Sequence, residues 1–203
     1  MKKTSNMLVL LSILVTLAVS SGVAHGCGTA LLVMDMQNFV FNPLSPWYTE
    51  TGEDLIPAIE TLIELARAAG LPIIYVRDVS QDSPGLDPFF FAIVDELTPL
   101  EGDTVLAKMT PNAFLNDEVG AYLKEQHIRR LLISGLSSTG CVQATLFDGI
   151  REGYEMVVVS DAHSSGTNVL RTKERNNTWR SRGIDVEMMA DIDWAAFHCG
   201  GGS

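Results

Sequence analysis

The chain has 203 residues, 46% of them hydrophobic, enough for one sizeable core, and a single domain is the expectation. Its 14 Lys+Arg stand against 25 Asp+Glu, a formal net charge of -11. That balance argues against nucleic acid and anionic membrane surfaces as partners, since both repel an acidic protein, and says nothing of the charge of a substrate.

In chain order the first feature is a leader. Lys2 and Lys3 precede an apolar run from Met7 to Val19, and Ala24 and Gly26 supply the small residues of a cleavage site. The run is too short for a comfortable membrane span. Residues 1–26 therefore read as a secretory signal and 27–203 as the mature domain. The protein is expected to be exported, periplasmic or secreted; an uncleaved anchor, or a cytoplasmic chain whose N-terminus only imitates a signal, is the alternative. Cys27 follows the cut directly. It is either a lipidated first residue, the one membrane attachment expected, or the disulfide partner of Cys199. The chain has three cysteines, so the disulfide would leave one thiol over and lipidation would leave two.

Apolar strand-like runs then alternate with helical patterns. Thr29 to Asp35 is nearly continuous in apolar residues, as a strand buried on both faces requires. Leu55, Ile59, Leu62, Ala66 and Ala69 recur at gaps of 4, 3, 4 and 3 and make one helix face. Thr51 with Asp54 resembles a capping box at its start, and Gly70 stops it. "LPIIYVRD" is a second strand, and the long connection after it is of the kind that often carries function. "DTVLAK" is the third strand, ending at Lys108. A helix over 116–126 leads to "RRLLISG". A helix over 139–152 leads to "EMVVVSDA", and a polar helix over 169–180 leads to "IDVEMM". Six strands alternating with helices predict an α/β protein: a three-layer α/β/α sandwich on a six-stranded, mostly parallel sheet. Ligands bind such sheets beyond the carboxyl ends of the strands.

At those ends stand Asp35, Lys108 and, past the turn after the fourth strand, Cys141. A thiol at a helix N-terminus, beside an ammonium, is expected to lose its proton readily. A carboxylate can accept that proton and return it to a leaving group. Each residue also has an ordinary reading. Asp35 can cap a turn, Lys108 can be solvated, Cys141 can be a small buried hydrophobe, and Ser137, Ser138 and Thr139 can cap the helix.

"LLVMDMQN", "LAKMTPNAF" and "ISGLSSTGCVQAT", in that order, resemble the signature segments of the isochorismatase-like cysteine hydrolases; "VVVSDAHSS" and "GIDVEMMADIDW" resemble the closing segments. The resemblance implies a catalytic triad of Asp35, Lys108 and Cys141. It also implies a cis peptide at Leu136–Ser137, with the amides of Ser137 and Cys141 forming an oxyanion hole. Cleavage of a C–N bond in a small amide, ureide or carbamoyl compound through a Cys thioester is the implied reaction. Hydrolysis of an isochorismate-type vinyl ether, and a non-catalytic binding protein on the same fold, are the alternatives. The resemblance further implies a homo-oligomer acting on a small molecule.

Nicotinamidases, which belong to that superfamily, place an Asp and a His two residues apart after the second strand and bind a metal. Here Asp78, Val79 and Ser80 occupy the stretch, so neither metal nor other cofactor is expected. His163 either lines the pocket or caps the loop. Phe39, Phe41, Trp47 and Phe114 adjoin the strand ends and form a pocket wall or belong to the core or a subunit interface. Arg77 and Arg175 either pair with a substrate carboxylate or serve as surface charge.

Overall fold

The computed structural model describes residues 28–45, 48–80, 87–166 and 169–197. The leader, Cys27, Trp47 and Cys199, and the readings that rest on them, lie outside the described residues. The strands are β1 (Thr29–Met34), β2 (Ile73–Asp78), β3 (Thr104–Lys108), β4 (Arg130–Leu136), β5 (Glu155–Ser164) and β6 (Asp185–Glu187). They form one sheet in the order β3-β2-β1-β4-β5-β6, and every pairing is parallel. β1 is central and buried along its whole length, which is why its sequence lacks the alternation of a half-exposed strand.

The helices are α1 (Asn38–Phe41), α2 (Gly52–Ala68), α3 (Asp117–Glu125), α4 (Cys141–Arg151) and α5 (Val169–Ser181). Alternate strand residues serve two cores. Leu31, Val33, Ile73, Tyr75 and Leu132 face α2, where Leu55, Ile59, Leu62 and Ala66 meet them. Leu32, Met34, Ile74, Val76 and Ile133 face α3, α4 and α5 through Val119, Leu123, Val142, Leu146 and Trp179. The expected three-layer sandwich is the fold observed. Among the described residues no helix is long and apolar enough to cross a membrane.

Three local differences from the sequence reading have physical causes. Thr51 precedes α2 but makes no side-chain cap bond; its hydroxyl stands 3.1 Å from that of Thr49. The long connection after β2 is anchored by short 3-10 turns at Pro88–Phe91 and Asp95–Leu97, which bury Phe91 and Leu97. β5 continues to Ser164, beyond the expected end at Ala162, because its register against β4 slips between Ile133 and Gly135. The slip sets His163 opposite Gly135 and Ser164 opposite Leu136.

Gly135 makes the approach of β4 to β1 possible. Its φ is +98°, and a Cβ there would lie 2.1 Å from the carbonyl oxygen of Met34. Gly135→Ala is therefore expected to cost about 3 kcal/mol or more, through strain and backbone overlap together. Urea denaturation of the two proteins measures it, and a variant as stable as wild type contradicts the close approach.

Candidate active site

The sheet reverses its strand order between β1 and β4, and the crevice beyond their carboxyl ends is where such sheets bind ligands. Asp35 follows β1 with φ of +51°, an uncommon backbone conformation for a residue with a side chain. Its N–H donates to Val76 O at 2.9 Å, and its own carbonyl accepts from Gln37 N at 2.9 Å. Lys108 is the last residue of β3, two strands away, and is fully buried. Cys141 is the first residue of α4 and is partly exposed.

The three side chains meet at the Lys108 ammonium. Its Nζ lies 3.0 Å from Asp35 Oδ2 and 3.4 Å from Cys141 Sγ. A fourth group joins them: Asp78 Oδ2 is 3.2 Å from the same nitrogen. Asp78 ends β2 and pairs with Lys108 in register, so the sheet itself sets them side by side. Gln37 fixes this corner. Buried completely, it accepts from Asp78 N at 2.7 Å and donates to Asp78 O at 3.0 Å and to Phe91 O at 2.8 Å.

Burial is the largest influence on the site's charges. It pushes the Asp35 carboxyl up to about 6, against the pull of Lys108 and of hydrogen bonding with the Cys141 thiol. Asp35 Oδ1 is buried with no ordinary hydrogen-bond partner among the described residues, so the carboxylate keeps an acceptor in hand. Burial, and then the Asp35 charge, push the Cys141 thiol up to about 12, and Lys108 offsets only part of this. Lys108 alone therefore does not offset burial and the Asp35 charge at the sulfur. For Lys108 burial acts downward, yet Asp35, Cys141 and Asp78 together hold the ammonium above its ordinary range. Burial acts upward on Asp78, but hydrogen bonds from Ser80 and the charge of Lys108 leave it below the usual carboxylate value.

With one ammonium and two carboxylates, the cluster is one negative charge in excess while the thiol keeps its proton. Moving that proton from sulfur to Asp35 leaves the total unchanged, whereas losing it to solvent adds a second negative charge to a buried site. The arrangement favours proton exchange inside the Asp35–Cys141 pair over a free thiolate.

The turn before Cys141 contains the cis peptide Leu136–Ser137. Ser137 O accepts from Gly140 N at 2.9 Å and Val142 N at 3.1 Å, and Ser138 N donates to Ser164 O at 2.8 Å. Among the described residues the amides of Ser137 and Cys141 donate to no backbone carbonyl. At Gly140 a Cβ would stand 2.8 Å from Ser137 Oγ, so a side chain there would require that hydroxyl to rotate. A cavity of about 260 Å³ adjoins the turn and is lined by Val40, Tyr48, Thr49, Leu136, Ser137, Ser165 and Gly166.

Phe39 and Phe41 share α1 and the core on its side of the sheet, whereas Phe114 belongs to the core on the opposite face. Phe39 packs against Phe91, with ring centroids 6.0 Å apart. Phe41 lines a separate cavity of about 430 Å³ with Ile56, Pro57 and Glu60. Phe114 packs into the core on the helical side, its ring 5.2 Å from that of Tyr154, so the core reading describes it better than a pocket wall does. Arg77 donates to Phe91 O at 3.3 Å, and Arg175 to Gln143 Oε1 at 3.0 Å. His163 is buried and hydrogen-bonded to Ser138, which makes it a support of the turn.

A metal site of the nicotinamidase kind does not fit these residues. Asp78 is engaged by Lys108 and Ser80, and no group of three His, Cys, Asp or Glu residues among those described could hold a metal ion.

This geometry accords with the comparisons to known proteins. A family model, the isochorismatase domain, matches residues 29–186. The uncharacterized isochorismatase family protein YddQ of Bacillus subtilis (strain 168) is 30% identical over 145 residues, which cover 68% of this chain and 79% of that protein. Among solved structures, an isochorismatase family protein from Desulfovibrio vulgaris superposes with a TM-score of 0.74 at 27% identity, over 82% of this chain and 96% of that one. The N-carbamoylsarcosine amidase of Thermoplasma acidophilum superposes with a TM-score of 0.66 at 25% identity, over 81% of this chain and 98% of that one. The match spans every strand from β1 into β6 and takes in Asp35, Lys108 and Cys141, and the chain belongs to the isochorismatase family of hydrolases.

Proposed function

We propose that this protein is a cysteine hydrolase that cleaves the C–N bond of a small amide, ureide or carbamoyl compound. The observation that carries the reading is the contact of Lys108 Nζ with both Asp35 and Cys141, which sets a proton acceptor and a nucleophile on one cation. The amidase among the structural relatives supports the choice of bond.

In the proposed reaction Asp35 takes the thiol proton as Cys141 Sγ attacks the carbonyl carbon. The carbonyl π electrons move to oxygen, and the amides of Ser137 and Cys141 donate to that oxyanion. Aimed donors of this kind are worth roughly 3–4 kcal/mol each in the transition state. The C–N bond breaks as the oxyanion collapses, and Asp35 gives its proton to the departing nitrogen. Water, deprotonated by Asp35, then attacks the thioester, and the proton returns to sulfur as the acid leaves. Lys108 stays charged throughout and balances whichever of Asp35 and Cys141 is anionic. With residues 1–26 removed, the same proposal has the enzyme working outside the cytoplasm as a homo-oligomer.

A panel of small amides, ureides and carbamoyl compounds assayed for ammonia or amine release tests the reading, with an isochorismate-type vinyl ether as control. Release from at least one C–N compound is expected, and turnover of the vinyl ether alone overturns it. The pH dependence is a second expected outcome. Below about 6 Asp35 is protonated and has no room for the thiol proton, so kcat/KM falls as pH falls through that value. Above it the profile stays flat past neutrality, because the thiol does not ionise until near 12. A rate that climbs through pH 8–9, where an ordinary free thiol ionises, contradicts the paired proton.

A further inference from the structure

Behind the nucleophile turn lies a buried polar chain that the reaction above does not use. Ser138 is fully buried, and its hydroxyl is 2.7 Å from His163 Nδ1. The other ring nitrogen, Nε2, is 2.8 Å from Asn176 Oδ1 on α5, and Asn176 Nδ2 donates to Ser160 O at 3.0 Å. His163 and Asn176 are both more than nine-tenths buried, and the ring of Trp179 packs 5.4 Å from the imidazole.

The hydrogen bonds fix the tautomer. Ser160 O can only accept, so Asn176 turns its amide nitrogen to Ser160 and its oxygen to His163. That oxygen can only accept, so Nε2 carries the proton. In the neutral ring Nδ1 is then an acceptor, and the Ser138 hydroxyl donates to it. Burial holds the imidazole neutral and pushes it down to about 4, against smaller upward effects of Asn176 and Asp161. The charged groups facing His163 from the packed elements, among the described residues, are Asp161 on β5, Asp54 on α2 and Lys173 on α5.

Ser138 sits between Ser137 and the helix that begins with Cys141. Its side chain is tied to His163, and its amide to Ser164, the next residue of the same strand. We propose that the Ser138–His163–Asn176 chain is a positioning relay: neutral His163, held as the Nε2–H tautomer by Asn176, accepts the Ser138 hydroxyl and so aims the turn that carries the oxyanion donors and the nucleophile. The inference rests on the cysteine-hydrolase reading for what the turn does, but the relay itself is a statement about protons on His163. Protonation of the ring places a hydrogen on Nδ1 where Ser138 now offers its own. The Ser138 hydroxyl must then swing its own hydrogen out of the bond and accept from the ring instead, which reverses the tether and resets the geometry of the turn.

The test uses two probes that require no knowledge of the substrate. One is 15N NMR of the full mature chain, which reports the tautomer of His163. The other is the pH dependence of Cys141 alkylation by iodoacetamide, read by peptide mass mapping in wild type, Asn176→Asp, Ser138→Ala and the double variant. A carboxylate at 176 stabilises the imidazolium and should raise the His163 pKa by about one unit or more. Alkylation in Asn176→Asp is then expected to depart from the wild-type profile as pH falls through that raised value and to rejoin it at high pH. A purely structural injury scales the rate at every pH without moving the midpoint. In the Ser138→Ala background the Asn176→Asp effect should vanish, since the tether is already gone. An Nδ1–H tautomer in wild type overturns the relay, as does an Asn176→Asp profile parallel to wild type or an undiminished shift in the double variant. If Asn176→Asp fails to fold, the wild-type tautomer and the Ser138→Ala alkylation profile decide: an Nδ1–H ring, or a profile superposable on wild type, overturns it. Failure of the hydrolase reading looks different: Cys141 then alkylates as an ordinary free thiol in every variant, while the His163 tautomer stands.

Discussion

Cys141→Ala is expected to abolish C–N hydrolysis, by about 10⁴-fold or more, as removal of a nucleophile does in other covalent hydrolases. The fold should survive. Cys141 is partly exposed at the first position of α4, alanine is the best helix former, and the cores are built from other residues. Removing the thiol also removes an upward influence on Lys108 and a downward one on Asp35, so the Asp35 carboxyl should titrate higher than its wild-type value of about 6. Stability by urea denaturation and turnover of the best compound in the panel measure the two effects separately. A variant that retains a tenth of wild-type turnover contradicts a thioester route.

Lys108→Met is expected to injure both stability and activity. Lys108 is fully buried and is the shared cation of Asp35 and Asp78, whose oxygens lie 3.0 and 3.2 Å from it. Methionine fills similar space but leaves two carboxylates facing each other without a counter-charge. Breaking a buried pair from one side costs roughly 3–5 kcal/mol, and here the cost is lowered if Asp35 takes up a proton. In the proposed mechanism that proton leaves Asp35 unable to act as the base. The acid limb of kcat/KM should therefore move above its wild-type position near 6, and turnover at neutral pH should fall by about 10²-fold or more. Asp78→Asn, which removes only the second carboxylate, should lower the Asp35 value slightly, because Asp78 is a minor upward influence on it. A Lys108→Met protein as stable as wild type, with an unmoved acid limb, contradicts the shared-cation account.

The sheet was legible in the sequence because each strand is a short apolar run ended by a polar residue, and helical periodicity intervenes between runs. Asp35, Lys108 and Cys141 are legible for the same reason: each ends a strand, follows one directly, or follows the turn after one. The rest of the site depends on neighbours in space. Asp78 reads in sequence only as half of a missing metal pair, yet "VRD" and "LAK" end adjacent parallel strands, and their register alone sets Asp78 beside Lys108. Gln37 was visible in "DMQ", but its clamp on Asp78 and Phe91 depends on where the connection after β2 returns. Ser138, His163 and Asn176 come from three elements, and the slip in the β4–β5 register that brings His163 to the turn has no signature in either strand. The influence of burial on Cys141 is not legible either: sequence shows which charged residues approach a thiol, and burial depends on packing.

Covalent trapping tests the central claim most directly. Wild type, Cys141→Ala and Asp35→Asn are mixed with p-nitrophenyl acetate at pH 7, quenched in acid within seconds, and mapped by peptide mass. The account predicts a single acetyl group on Cys141 in wild type, none at that position in Cys141→Ala, and much slower labelling in Asp35→Asn. Acetylation confined to another residue, or equal labelling with and without the Asp35 carboxylate, would contradict it.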